Sequence, residues 1–137
     1  MRIYWDSSAL LNALASKTVI DRLDTPEEHF TRSHAFVEVF SHLTGRGLPM
    51  KNGPRQKVTN EDAAKMLSGL SKKLTMRDLT CEETLNTLAL SKERGVAGAR
   101  IHDLIHARAA ALAQAEKILT RDLGFSSLGE TIPTEWP

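Results

Sequence analysis

Residues Arg2 to Leu14 read RIYWDSSALLNAL, and this stretch decides the fold class. A short run of β-forming residues stops at Asp6, and an apolar helical pattern begins after two serines. We predict a strand over Arg2 to Trp5 that runs directly into a helix, capped by a serine and continuing to about Leu14. Asp6 would then follow the carboxyl end of a strand, where α/β proteins place their ligand sites.

The same alternation of short apolar strands with helical patterns continues along the chain. Further strands are predicted at Glu28 to Thr31, Leu74 to Leu79, Glu116 to Asp122 and Thr131 to Ile132. A second helix is predicted to begin at Ser33, as the capping residue, and to end at Gly45. Three further helices are predicted over Thr59 to Leu70, Thr80 to about Glu93, and about Ala99 to Ala115. This order is typical of an α/β protein with a short, mainly parallel sheet between helices, and we expect one domain over residues 1–137.

Composition excludes several classes of protein. The 18 basic and 17 acidic residues nearly cancel, so net charge provides no long-range attraction to nucleic acid or to an anionic membrane. Cys81 is the single cysteine, which excludes an internal disulfide and a cysteine-based zinc site. No apolar run approaches the roughly 20 residues of a membrane helix, and MRIYWDSS has no signal-peptide core, so we expect a cytoplasmic protein.

Basic charge is concentrated in one segment, GRGLPMKNGPRQK, at residues 45–57. It contains Arg46, Lys51, Arg55 and Lys57 without one acid, and its glycines and prolines predict a loop. Two interpretations remain open, a solvated surface loop or a segment that contacts phosphate groups.

Four acids occupy positions that a parallel sheet would bring to one edge. Asp6 and Asp122 end predicted strands, Asp103 lies near the start of the long helix, and Glu38 lies on the polar face of its helix. Each alone is an ordinary surface or turn residue, but together they would repel unless a divalent cation neutralised them. An all-carboxylate ligand set favours Mg²⁺ or Mn²⁺, and such ions bind phosphate oxygens, which indicates a phosphodiester substrate.

The ordered set of motifs resembles the PIN-domain nucleases, in particular the VapC-like ribonuclease toxins of bacterial toxin–antitoxin pairs. The matching stretches are IYWDSSALLNAL, SHAFVEVFSHLTG with Glu38, and ARIHDLIHARAAALAQAEKILTRDLGF with Asp103 and Asp122. The resemblance implies a three-layer α/β fold with four to five strands, a Mg²⁺ or Mn²⁺ cofactor, and hydrolysis of RNA. It implies that Asp6, Glu38, Asp103 and Asp122 are the metal-binding and catalytic acids.

The resemblance also implies auxiliary residues and partners. Ser8 and Thr120 correspond to small hydroxyl residues that orient a carboxylate or a water. Family members are commonly homodimers and are inhibited by a small protein antitoxin. Arg100 lies close to Asp103 on the helical wheel, where it could contact the scissile phosphate or pair with an acid.

Two other functions compete with the nuclease. The segment His102-Asp103-Leu104-Ile105-His106 is one carboxylate away from the His-Glu-x-x-His helix of zinc proteases, but Asp is shorter than Glu and no downstream histidine supplies a third ligand. We therefore expect His102 and His106 to lie on the helix surface or at an interface. The second competitor is a non-catalytic PIN-like protein that acts through a partner, and the roles of His34 and His42 stay open.

Overall fold

Five parallel strands form one sheet at the centre of the computed structural model, which describes residues 1–122 and 132–137. The strands are β1 (Arg2–Trp5), β2 (Glu28–Thr31), β3 (Thr75–Met76), β4 (Lys117–Leu119) and β5 (Thr134–Glu135), in the order β3-β2-β1-β4-β5. All four strand pairs are parallel. The predicted α/β class and mainly parallel sheet of four to five strands are therefore confirmed.

The α-helices of the described residues fill the connections between the strands. They are α1 (Ser7–Ala15), α2 (Lys17–Asp21), α3 (Ser33–Gly45), α4 (Asn60–Ser71), α5 (Cys81–Leu90) and α6 (Ile101–Leu112). Short 3₁₀ turns over Arg22–Asp24 and Gly98–Arg100 follow α2 and precede α6. None of the helices in this part of the chain combines the length and apolar character needed to cross a membrane.

Alternating strand residues divide the core into two layers, because successive side chains of a strand point to opposite faces. Ile3, Trp5 and Leu119 pack with apolar residues of α1, α3 and α4. Tyr4, Phe30 and Ile118 pack on the other face, against α6. The result is the predicted three-layer arrangement of helices, sheet and helices.

The strand order reverses between β1 and β4. The chain proceeds from β1 to β2 and β3 on one side, then returns to place β4 on the other side of β1. Right-handed crossovers in opposite directions put their helices on opposite faces, which accounts for the two layers. The crevice beyond the carboxyl ends of β1 and β4 is the place where such sheets bind ligands.

Several predicted boundaries and caps are wrong. Asp6, and not a serine, caps α1: its Oδ1 accepts a hydrogen bond from the Ala9 N–H at 3.0 Å. Ser33 is the first residue of α3 and not its cap, and its N–H and hydroxyl both donate to the Asp78 carboxylate, at 2.6 and 2.7 Å. A carboxylate from a distant loop thus replaces the local side-chain cap of this helix.

Element lengths also differ from the prediction. β3 and β4 are shorter than their apolar runs, because a residue counts as strand only where a neighbouring strand pairs with it. α5 and α6 each end three residues before the predicted boundary, and α2 is absent from the prediction. The last strand is Thr134–Glu135 and not Thr131 to Ile132, of which Thr131 lies outside the described residues.

Candidate active site

Asp6 lies at the reversal of strand order, buried with 6% of its surface exposed. Its backbone N–H donates to the Leu119 carbonyl at 3.1 Å, which joins the ends of β1 and β4. Its Oδ1 accepts from the Ser8 hydroxyl at 2.6 Å, and its Oδ2 accepts from the Thr120 hydroxyl. With the Ala9 N–H, three donors hold this carboxylate in one orientation.

The two hydroxyl groups also fix the chain that follows β4. Ser8 Oγ accepts from the Arg121 N–H at 2.9 Å, and Thr120 Oγ1 accepts from the Asp122 N–H at 3.0 Å. Each hydroxyl therefore donates to Asp6 and accepts from the backbone leading to Asp122. This reciprocal pattern ties the two strand-end acids into one rigid network.

Asp103 lies in the first turn of α6 and is half-buried. Burial is the largest cause that raises the pKa of its carboxyl group above the ordinary value. The negative charges of Asp122 and Asp6 raise the Asp103 pKa further, while His106 and Arg100 lower it. The carboxylates of Asp103, Asp122 and Asp6 therefore share one electrostatic environment, although they come from three separate parts of the chain.

Glu38 is held by a buried histidine. His106 Nε2 lies 2.9 Å from Glu38 Oε1, and His106 Nδ1 lies 2.6 Å from the Tyr4 hydroxyl. Burial raises the Glu38 pKa, but the hydrogen bond and charge of His106, with the charges of His34 and Arg32, bring that pKa below its ordinary value. Glu38 is thus an ionised carboxylate that His106 fixes in position.

The surface location predicted for both histidines of α6 is wrong for His106, which is only 2% exposed. The apolar surroundings of this helix face, with the Tyr4 hydroxyl beneath it, explain the burial. Sequence reasoning also missed Tyr4, which it treated only as a strand residue. A histidine within an otherwise apolar and alanine-rich helix face was the available signal, since a buried polar group needs partners.

His102 is exposed and makes a different contact. Its ring stacks on that of His34, with 6.3 Å between centroids and 11° between planes. Both histidines border an open cavity of about 450 Å³ between α3, α5 and α6. Arg100 lies exposed in the 3₁₀ turn before α6, and its charge acts on Asp103.

The donor chemistry at this edge suits a hard divalent cation, because the acids offer only oxygen atoms. As the side chains stand, residues 1–122 and 132–137 contain no group of three or more His, Cys, Asp or Glu side chains arranged to hold a metal ion. Asp6 and Glu38 are instead held by their hydrogen-bond donors. The zinc interpretation has less support, since both ring nitrogens of His106 already have partners.

The fold matches a known architecture. A chain in the crystal structure of VapBC2 from Rickettsia felis, bound to a DNA fragment from its promoter, superposes with a TM-score of 0.69. The match covers 98% of both chains at 15% sequence identity. This chain has a VapC-like fold. No family model and no curated protein sequence matches it, so the VapC-like architecture is shown by structure alone.

The predicted site acids can be located on this fold. The PIN-like, three-layer architecture implied by the sequence motifs is confirmed by this likeness. Asp6 and Asp122 follow the strands on either side of the strand reversal, their charges act on Asp103, and Glu38 is joined to the same helix as Asp103 through His106.

Proposed function

We propose that this chain is a metal-dependent endoribonuclease that hydrolyses phosphodiester bonds of RNA, acting as the toxin of a toxin–antitoxin pair. The observation that carries the proposal is the joining of Asp6 to the backbone leading to Asp122, through Ser8 and Thr120, at the reversal of strand order, with Asp103 close enough for both charges to act on it. A group of carboxylates at a sheet edge that raises the pKa of one of its members favours a bound cation. The VapC-like fold supports the same conclusion.

The site residues have distinct roles in this proposal. Asp6, Asp103, Asp122 and Glu38 hold Mg²⁺ or Mn²⁺, which supplies positive charge for the scissile phosphate and for an attacking water. Ser8 and Thr120 orient the Asp6 carboxylate through the hydrogen bonds described above. Arg100, exposed beside Asp103, offers a cation to the RNA backbone.

We expect purified protein to cleave single-stranded RNA with Mg²⁺ or Mn²⁺ and to be inactive in excess EDTA. Loss of a residue that only hydrogen-bonds to a metal ligand lowers activity by roughly 10- to 100-fold. Asp6→Asn and Asp103→Asn should each lower the cleavage rate by more than this, because they change the proposed ligands themselves. Gel analysis of labelled RNA measures the rate. Asp21→Asn, which changes an exposed acid of α2 paired with Lys17, is the matched control and should keep wild-type activity.

Persistence of cleavage in EDTA, or in both site variants, would contradict the proposal. A wild-type protein that binds Mn²⁺ without cleaving any RNA would instead favour the non-catalytic, partner-binding interpretation.

The proposed partners are an antitoxin and a second copy of the chain. Several large apolar side chains are exposed, among them Val37 at 59%, Leu85 at 59% and Leu88 at 42%. Apolar residues of this kind on α3 and α5 support a protein interface. Sedimentation analysis of the purified chain tests the homodimer, and a monomer at all concentrations would contradict it.

A further inference from the structure

A small basic cavity lies beside the acidic site. It has a volume of about 140 Å³ at the start of α1, and its polar lining consists of Ser7, Ser8, His42, Arg46, Arg55 and Arg121. No acid is among the described residues that line it. Three arginines and a histidine around a space of this size offer the hydrogen-bond donors that one tetrahedral anion requires.

The fold brings these arginines together from distant segments. His42 and Arg46 lie at the end of α3, and the chain then turns at Gly47, whose N–H donates to the His42 carbonyl at 2.8 Å. Paired backbone hydrogen bonds between Leu48 and Gln56, at 2.8 and 3.1 Å, return the basic loop to α3. Arg55 therefore lies next to Arg46, in spite of the residues between them.

Neutral contacts position two of the guanidinium groups. Arg55 Nη1 donates to the Gly47 carbonyl at 3.4 Å. The guanidinium carbon of Arg121 lies 5.0 Å from the centre of the Trp136 ring, and the backbone N–H of Arg121 donates to the Ser8 hydroxyl oxygen. The cavity walls are thus held in place without neutralisation of their charge.

Among the described residues, no acid pairs with the arginines of this cavity. Within the described part of the chain, Arg46, Arg55 and Arg121 form no ion pair with a carboxylate, whereas Arg2 and Arg22 are paired with Glu28 and Glu135. Clustered positive charges repel one another, and a bound anion would reduce this unfavourable electrostatic energy.

Ser8 places the basic cavity next to the acids. Its hydroxyl borders the cavity and donates to Asp6 Oδ1 at 2.6 Å. One side chain therefore separates a site for an anion from the proposed site for a cation. A phosphodiester chain meets both requirements, because its phosphate groups repeat along the strand at intervals of a few ångströms.

We propose that this cavity binds one backbone phosphate of the RNA strand, next to the phosphate that is cleaved. The inference rests on the proposed ribonuclease function and assigns a role to part of the basic loop. Arg46 and Arg55 bind phosphate, while Lys51 and Lys57, also exposed in the loop, do not line the cavity.

The test is binding of a fluorescein-labelled, 2′-O-methyl single-stranded RNA, measured by anisotropy in EDTA so that cleavage cannot occur. Arg46→Gln with Arg55→Gln, and separately Arg121→Gln, should each weaken binding by roughly tenfold at moderate salt. The slope of log K against log salt should become shallower by about 0.7, because the variants no longer neutralise one RNA phosphate. Lys92→Gln, which removes an exposed charge after α5, is the matched control and should bind as wild type.

A second measurement locates the anion. Addition of sodium phosphate should shift the NMR amide signals of Ser7, Ser8 and Arg121 in the wild type, and should not do so in the double arginine variant. Thermal unfolding of each variant, compared with wild type, separates loss of binding from loss of folding, and Arg46→Lys should bind with intermediate affinity because its charge is kept.

The outcomes separate this inference from the proposed function. Wild-type cleavage of RNA with unchanged RNA binding in the arginine variants would overturn the phosphate site alone. Absence of RNA cleavage with the expected loss of binding would overturn the nuclease and leave the phosphate site. Phosphate shifts without an effect on RNA binding, or displacement of RNA by a short oligoglutamate of equal charge, would also overturn the assignment, the last in favour of an acidic peptide.

Discussion

His106 is the residue whose role the tertiary structure changes most. It lies three positions after Asp103 on α6, and it bridges Tyr4 of β1 and Glu38 of α3. The lowered pKa of Glu38 keeps that carboxylate ionised, and complete burial raises the pKa of Tyr4 well above its ordinary value, so the phenol keeps its proton. The ionised Glu38 carboxylate therefore accepts from Nε2–H of His106, while the direction of the hydrogen bond between Nδ1 and the Tyr4 hydroxyl depends on the protonation of the ring.

We expect His106→Ala to lower the rate of RNA cleavage by about 10- to 100-fold, because Glu38 then loses the donor that orients it. The effect should appear in kcat and in the Mn²⁺ concentration needed for half-maximal rate, with a smaller change in KM. His106→Gln, which keeps a side-chain N–H, should restore part of the activity, and Tyr4→Phe should cost less than His106→Ala.

His102→Ala is the matched control for this prediction, since His102 is exposed on the same helix and contacts His34 instead. Equal losses in the two alanine variants would contradict a positioning role for His106. Thermal unfolding distinguishes a positioning effect from the cavity left by a buried side chain.

At the scale of elements, the loop over residues 45–57 depends on one glycine. Gly47 has φ +100°, and a Cβ atom there would lie 2.7 to 2.8 Å from backbone atoms of Gln56 and Lys57. The left-handed conformation and the close approach both require glycine at this position. Gly47 therefore allows the pairing of Leu48 with Gln56 that carries Arg55 back to α3.

We expect Gly47→Ala to destabilise the protein by about 1–3 kcal/mol, because the residue must leave its conformation or displace the facing backbone. The same variant should weaken RNA binding, since Arg55 loses its position. Chemical denaturation measures the first effect and anisotropy the second. Gly45→Ala is the control: a Cβ at this last residue of α3 meets nothing within 4 Å, and wild-type stability in Gly47→Ala would refute the argument.

Asp6 both caps helix α1 and belongs to the proposed active site. The prediction of the strand and the helix around it is confirmed, but the predicted serine cap is wrong. Periodicity locates the start of a helix only within a few residues, and Asp, Ser and Thr are all good caps. The distinction matters here because capping holds Asp6 Oδ1 toward α1.

At the scale of the whole molecule, a buried histidine links folding stability to pH. Trp5 Nε1 donates to His29 Nδ1 at 3.1 Å, and His29 Nε2 lies 2.8 Å from the Thr25 hydroxyl. Burial is the main cause that lowers the His29 pKa below its ordinary value. The neutral ring is thus the form that the folded sheet accommodates, because a protonated Nδ1 could not accept from Trp5.

We expect the free energy of unfolding to decrease as the pH falls below the ordinary histidine pKa of about 6.5. Below this pH the histidine of the unfolded chain binds a proton, whereas His29 of the folded protein stays neutral until its lower pKa is reached. The free energy of unfolding therefore decreases toward lower pH, by up to about 1.4 kcal/mol per pH unit. Urea unfolding at several pH values measures it. His29→Gln, which can still accept from Trp5, should show a shallower dependence, and an identical pH dependence would contradict the assignment.

Much of the architecture follows from local sequence patterns. Alternating apolar strands and amphipathic helices predict a parallel sheet, and the positions of Asp6 and Asp122 after their strands predict the edge of the sheet at which these two acids lie. These features depend on spacing along the chain, which the sequence contains directly.

The contacts that complete the site depend on pairs of residues far apart in the chain. His106 meets Glu38 across 68 positions and Tyr4 across 102, and Arg121 joins Ser8 across 113. By itself the sequence determined the order of strands and helices and the acids at their ends. Only the tertiary structure decided that His106 holds Glu38 and that three arginines surround one cavity, because helix rotation and loop closure are settled by packing and not by local periodicity.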